Sequence, residues 1–272
     1  MVFFSETLNI VKTNQKKWGG KAQMKRFKTS LSVRVVVLVL VLAVSSACSL
    51  ITKPWIRSAT MNDVVNVGDS IFALSGKIHE YLTQYAGKSF RNYTFSGAYL
   101  SGTSIITDKS VVVQYATARS DNSNIKTIIG DGGGNEILIP ANAFDPYNCK
   151  KDWWESGLSS SCKALIDDVY VDSVDLLNQM GRDGVQNIIW QGYYHVKFGA
   201  FASTSLNPAV DYGNMKLAQA VANATAVNNY RVFINPVSVI TNSDIIIDGV
   251  HPTDSGSRKL ANLIWPKLQP LL

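Results

Sequence analysis

VVNVGDSIFALSGKIHEYLTQYAG, residues 64–87, decides the fold. Its first five residues are a compact β-branched run that ends in glycine, the pattern of a buried strand. Beyond them Ile71, Leu74, Ile78, Leu82 and Tyr85 recur at helical spacing, and Gly87 supplies a stop. A strand therefore passes directly into a helix, with Gly68-Asp69-Ser70 at the joint. A side chain at that joint stands at a helix N-terminus, where unpaired backbone N–H groups and the helix dipole favour negative charge.

The same alternation continues along the chain. NYTFS (92–96), IKTIIG (125–130), NIIW (187–190) and RVFINP (231–236) read as further strands. Helices are expected over about residues 163–180, 212–227 and 254–268, and in the last of these Ser257, Leu260, Leu263 and Ile264 share a face. Strands alternating with helices predict an α/β fold, a parallel sheet covered on both faces, with working residues beyond the carboxyl ends of the strands.

Four short segments fall at such places. Gly68-Asp69-Ser70 follows the first strand, and alone it reads equally as a helix cap after a turn glycine. Asp248-Gly-Val-His251-Pro252 precedes the last helix and puts a carboxylate three residues before an imidazole, the spacing that can orient a base; alone it also reads as a surface turn. Gly130-Asp-Gly-Gly-Gly-Asn135-Glu136 follows the third strand, but it has neither the ending nor the spacing of a phosphate-binding loop. Asn135 there offers an amide donor in a loop that a ligand can approach closely, which suits an oxyanion hole. Asn92-Tyr-Thr-Phe-Ser-Gly97 follows the second strand and can present the Gly97 N–H. Of the three histidines, His79 lies inside the first helix as a surface or packing residue. His195, in QGYYHVKFG, is a candidate for the rim of a site with Tyr193 and Tyr194, or else a structural loop residue. Only His251 has a carboxylate at the right spacing.

In this order the four segments resemble the blocks of the SGNH (GDSL-type) hydrolase superfamily, over about residues 62–270. Ile71 stands where the family name has leucine, and Glu136 where the Gly-x-Asn-Asp block has aspartate. The resemblance implies a three-layer α/β/α domain with a flavodoxin-like, five-stranded parallel sheet. It also implies a Ser70–His251–Asp248 triad acting on carboxylic esters (lipid, acyl or acetyl-sugar) through an acyl-enzyme. The Ser70 and Gly97 N–H groups and the Asn135 amide would form the oxyanion hole, with Gly102 as the other glycine for that block. No metal or organic cofactor is implied. An acyltransferase with the same triad and a surface lipoprotein that binds a glycan or lipid without turnover are the alternatives. Trp153 and Trp154 read as an acyl or sugar platform or as local packing.

The net charge of +6 is a property of the N-terminus. Eight basic residues against one acid precede residue 35, leaving −1 for the remainder, so a nucleic-acid partner loses its main argument. Residues 24–34 (MKRFKTSLSVR) are basic, 35–44 (VVVLVLVLAV) are apolar, and small residues lead to Cys48. That is the layout of a secretory signal, and ten apolar residues are short for a bilayer span, although an uncleaved anchor is the other reading. The ending resembles a bacterial lipoprotein signal with Cys48 as the lipidated residue, although Ser45 replaces the usual aliphatic residue three positions earlier. The expected layout is an extension and signal (1–47, with Met24 fitting as the start of the signal), a tether (48–60) and a hydrolase domain (61–272). The protein would be exported to the cell envelope and held on the membrane by its lipid. Export permits a disulfide between Cys149 and Cys162, and no nearby histidine completes a metal ligand set.

Overall fold

The computed structural model describes residues 53–75, 77–151 and 155–272. Cys48, Trp153 and Trp154, with the readings attached to them, lie outside these residues. Five strands form one sheet: β1 (Met61–Val67), β2 (Phe90–Asn92), β3 (Thr127–Gly130), β4 (Asn187–Gln191) and β5 (Tyr230–Ile234). All pairs are parallel, in the order β2-β1-β3-β4-β5. This is the flavodoxin-like doubly wound order, whose switch point lies between β1 and β3.

Seven α-helices accompany the sheet among the described residues: α1 (Ser70–Ala73), α2 (Lys77–Ala86), α3 (Val111–Asp121), α4 (Asn135–Ala143), α5 (Ser160–Arg182), α6 (Asn207–Asn223) and α7 (Asp254–Leu268). Successive strand residues point to opposite faces, and the core divides accordingly. Val64, Ile129 and Ile189 pack with Ile78 and Leu82 of α2 and Leu260 and Ile264 of α7. Val65, Ile128 and Ile188 pack on the other face with Val111 and Tyr115 of α3 and with Leu176 and Leu177 of α5. The three-layer arrangement thus follows from strands that are apolar on both faces.

The structure differs from expectation in several elements. The first helix is two, α1 and α2. Ser75 Oγ accepts from the Lys77 N–H at 3.2 Å, a local bond that competes with continuing the helix. The second strand is Phe90–Asn92 rather than 92–96, because from Tyr93 the backbone turns its bonds to Asn66 and Gly68. Helix α3 was not expected from a run of three valines, yet Ser110 caps it by accepting from the Val113 N–H. His79 takes the packing role: it is 6% exposed, its Nδ1 lies 2.7 Å from Asn66 Nδ2, and burial pushes its pKa down to about 4.

Residues before β1 lie along the sheet's edge. Ile56 exchanges both backbone bonds with Asn92 at 2.9 Å, and Trp55 packs on Tyr93 at 5.4 Å, so the β2 edge is covered. Cys149 and Cys162 form a buried disulfide, and closing so short a loop is worth about 3 kcal/mol. No helix among the described residues is long and apolar enough to cross a membrane.

Candidate active site

The joint between β1 and α1 is held from three sides. Gln114, fully buried on α3, accepts from the Gly68 N–H at 2.7 Å and donates to the Gly68 carbonyl at 2.9 Å. Asp69 caps α1 by accepting from the Ile71 N–H at 2.9 Å, and its own N–H donates to Asp131 at 2.8 Å. Gly68 has φ +153°, and a Cβ there would run into the Asp131 carboxylate, so only glycine fits this turn. Tyr193 donates to Asp69 at 2.6 Å and accepts from the Gly134 N–H at 3.0 Å. Burial pushes the Asp69 carboxyl up, against the hydrogen bonds it accepts. Burial, then the charge of Asp69, pushes the Asp131 carboxyl well above its usual range. The result is a rigid turn that presents Ser70, 7% exposed, with its N–H spent on no backbone bond.

The Asp248–His251 turn is built with equal care. Asp248 Oδ1 accepts from the Val250 and His251 N–H groups at 2.8 and 3.0 Å. Its Oδ2 lies 2.6 Å from His251 Nδ1. Burial alone would raise the Asp248 carboxyl, but the His251 hydrogen bond and charge and the two N–H groups outweigh it and hold it below the usual range. Gly249 has φ +88° and its space is closed by the Lys197 and Gly199 backbone. Tyr194 donates to the Val250 carbonyl from behind at 2.6 Å. His251 Nε2 is buried and has no hydrogen-bond partner. The turn lies near the Ser70 joint, because Val250 shares a cavity wall with Ser70.

Asn135 is not in a loop, as expected, but opens α4. It is 5% exposed, borders the same cavity as Ser70, and donates from Nδ2 to the Ala98 carbonyl at 2.9 Å. An amide nitrogen carries two N–H groups, so one remains. Glu136 accepts from the Leu100 N–H, and burial pushes its pKa up to about 8, leaving it protonated at neutral pH. Asn135 and Glu136 together lash the segment after β2 to the start of α4. In that segment the Gly97 N–H makes no backbone hydrogen bond, and Ile106 packs on the glycine so closely that a Cβ would not fit. Gly102 has open space beside it.

The two rim candidates separate. Tyr194 is 3% exposed and walls the cavity. His195 is half-buried, pairs with Asp211 at 2.7 Å and does not border the cavity. Gln114 and Asp131, which position Ser70, escaped the sequence reading. A polar residue inside the apolar run VVVQYA was the one hint of Gln114.

No protein-family model matches the sequence, and no curated protein matches it either. Solved structures do. A carbohydrate acetylesterase family member from Sinorhizobium meliloti superposes with a TM-score of 0.54 at 14% identity, over 77% of this chain and 99% of that one. An aryl esterase from M. smegmatis gives 0.53 at 13% identity, over 77% and 99%. A structure described as a GDSL-like lipase from Bacteroides ovatus ATCC 8483 gives 0.49 at 21% identity over 76% of this chain, which spans about half of that one, 52%. The five-stranded parallel α/β fold is thus shared with the acetylesterase and the aryl esterase.

Proposed function

We propose that this protein is a serine hydrolase of small-molecule carboxylic esters, with Ser70 as nucleophile, His251 as base and Asp248 as the residue that orients it. The observation that carries the reading is the His251 turn: Nδ1 is fixed 2.6 Å from a charged carboxylate while Nε2 is buried and unspent. A histidine so held is a ready proton acceptor for a hydroxyl at the neighbouring helix start.

Ser70 Oγ attacks the ester carbonyl carbon and its proton passes to His251 Nε2. The carbonyl oxygen becomes an oxyanion facing the Ser70 and Gly97 N–H groups and the second Asn135 N–H. The intermediate collapses to an acyl-serine, and the alcohol leaves with the proton from His251. Water then attacks the acyl-serine and gives its proton to the same nitrogen, and the acid leaves as Ser70 Oγ takes that proton back. The strict fit at Gly68 and Gly97 supports this reading, because both turns hold backbone N–H groups that a shifted loop would misdirect.

Asn135→Ala is expected to lower kcat by about 100- to 1,000-fold, the usual effect of removing one oxyanion donor. A loss below tenfold in steady-state kinetics would leave Asn135 only its bond to Ala98.

Export and lipidation at Cys48 complete the proposal. They are supported by the N-terminal pattern and by the Cys149–Cys162 bridge, which suits an oxidising compartment. Mass spectrometry of the chain from a bacterial membrane fraction is expected to find a lipidated N-terminus at Cys48, lost in Cys48→Ala. A mature chain that retains residues 24–47 would contradict it.

A further inference from the structure

One cavity reaches the nucleophile, and its chemistry is one-sided. Ser70 and Asn135 border it, and from them it runs between α4, α5 and α6 past Ile137, Leu138, Ile166, Val169, Leu206 and Ala209. The polar groups along its walls are already engaged. The Tyr193 hydroxyl donates to Asp69 and the Tyr194 hydroxyl to the Val250 carbonyl, each at 2.6 Å. Lys216 is tied to Asp167 at 2.7 Å. Tyr170 adds one hydroxyl, which accepts from Asn223 Nδ2 at 2.8 Å, and most of the remaining wall is aliphatic. A sugar there would lose more hydration than these few groups replace, whereas a hydrocarbon chain would lose nothing. His251 and Gly97 do not border the cavity.

We propose that this cavity is the acyl-chain site, and that the preferred substrates are esters of medium-chain fatty acids rather than acetates. The inference rests on the esterase reading and deepens it. The acyl group enters between α5 and α6, and the alcohol stays on the open side toward His251. The cavity volume is about 80 Å³. That is several times the space a single water needs, so the site has room for a chain well beyond an acetyl methyl.

Gly213 of α6 makes the test direct. It borders the cavity, and no atom lies within 4 Å of where a Cβ would stand. Leucine there would occupy the channel, and exchanging glycine for leucine inside a helix favours the helix. Val210, three residues earlier on the same face, gives a second plug as Val210→Phe.

The experiment is hydrolysis of p-nitrophenyl acetate, hexanoate, octanoate and dodecanoate by the full chain, with folding of each variant checked by circular dichroism. Each methylene moved from water into an apolar site adds up to about fourfold in affinity. Wild-type kcat/KM is therefore expected to be at least about tenfold higher on octanoate than on acetate. Gly213→Leu and Val210→Phe are expected to lower that ratio by about tenfold or more. A wild-type ratio at or below one, or a ratio that neither plug moves, would overturn the proposal. If no ester is hydrolysed, the esterase reading fails by itself, and calorimetric titration with sodium octanoate then decides the channel. Octanoate binding that is weakened by Gly213→Leu supports the channel, and no octanoate binding overturns it.

Discussion

Ser70→Ala is expected to lower kcat on p-nitrophenyl esters by about 10⁵- to 10⁶-fold, with the fold unchanged. The serine oxygen forms the covalent bond, and the one other hydroxyl described at the joint, that of Tyr193, is spent on Asp69, so loss of the nucleophile costs nearly everything the triad provides. The residual rate would come from the oxyanion donors and binding, which the substitution leaves in place. The turn itself is held by Gln114, Asp69 and Asp131 through the backbone of Gly68, Asp69 and Ile71, not through the Ser70 hydroxyl. Stability should therefore change by less than about 0.5 kcal/mol. Steady-state kinetics beside thermal unfolding separates the two effects. A loss under a hundredfold in a folded variant would mean that Ser70 is a helix-opening serine and nothing more.

Asp248→Asn is expected to lower kcat by about 10⁴-fold. The amide preserves the shape of the turn, since its oxygen can still accept from the Val250 and His251 N–H groups. It places an NH₂ donor where Oδ2 now meets His251 Nδ1. That imidazole nitrogen must then accept, which moves the proton to Nε2 and removes the base from the face that needs it. The negative charge that stabilises the imidazolium is lost as well. The signature is a collapse in kcat with little change in KM or melting temperature. A variant that keeps a tenth of wild-type kcat would contradict the orienting role.

The parts of the fold and site visible in the sequence are those encoded locally. The β-branched runs VVNVG, TIIG and NIIW announce strands because parallel strands are buried on both faces and cannot alternate with polar residues. Asp248 and His251 are legible because three residues of chain suffice to join a carboxylate to an imidazole. Ser70 is legible because strand, turn and helix are consecutive. Other elements were not, whether their cause is a local side-chain bond or a distant partner. The break between α1 and α2 comes from the Ser75 side chain competing for a backbone N–H, a choice that helical spacing does not register. The start of α4 is hidden by its glycine run, so Asn135 was expected on a loop. Asp131 and Gln114 reach the Gly68 turn across 62 and 46 residues. No spacing rule links such positions. His195 had the aromatic neighbours of a site residue, but its partner, Asp211, lies at the surface, one turn into α6.

The most direct test of the account is covalent. The full chain would be treated with a fluorophosphonate, which phosphonylates only an activated serine, and the modified peptide located by mass spectrometry. One stoichiometric adduct is expected on the peptide containing Ser70, absent from Ser70→Ala and strongly slowed in His251→Ala. A folded protein that takes up no label, or takes it up at another residue, would contradict the assignment of Ser70 as the nucleophile.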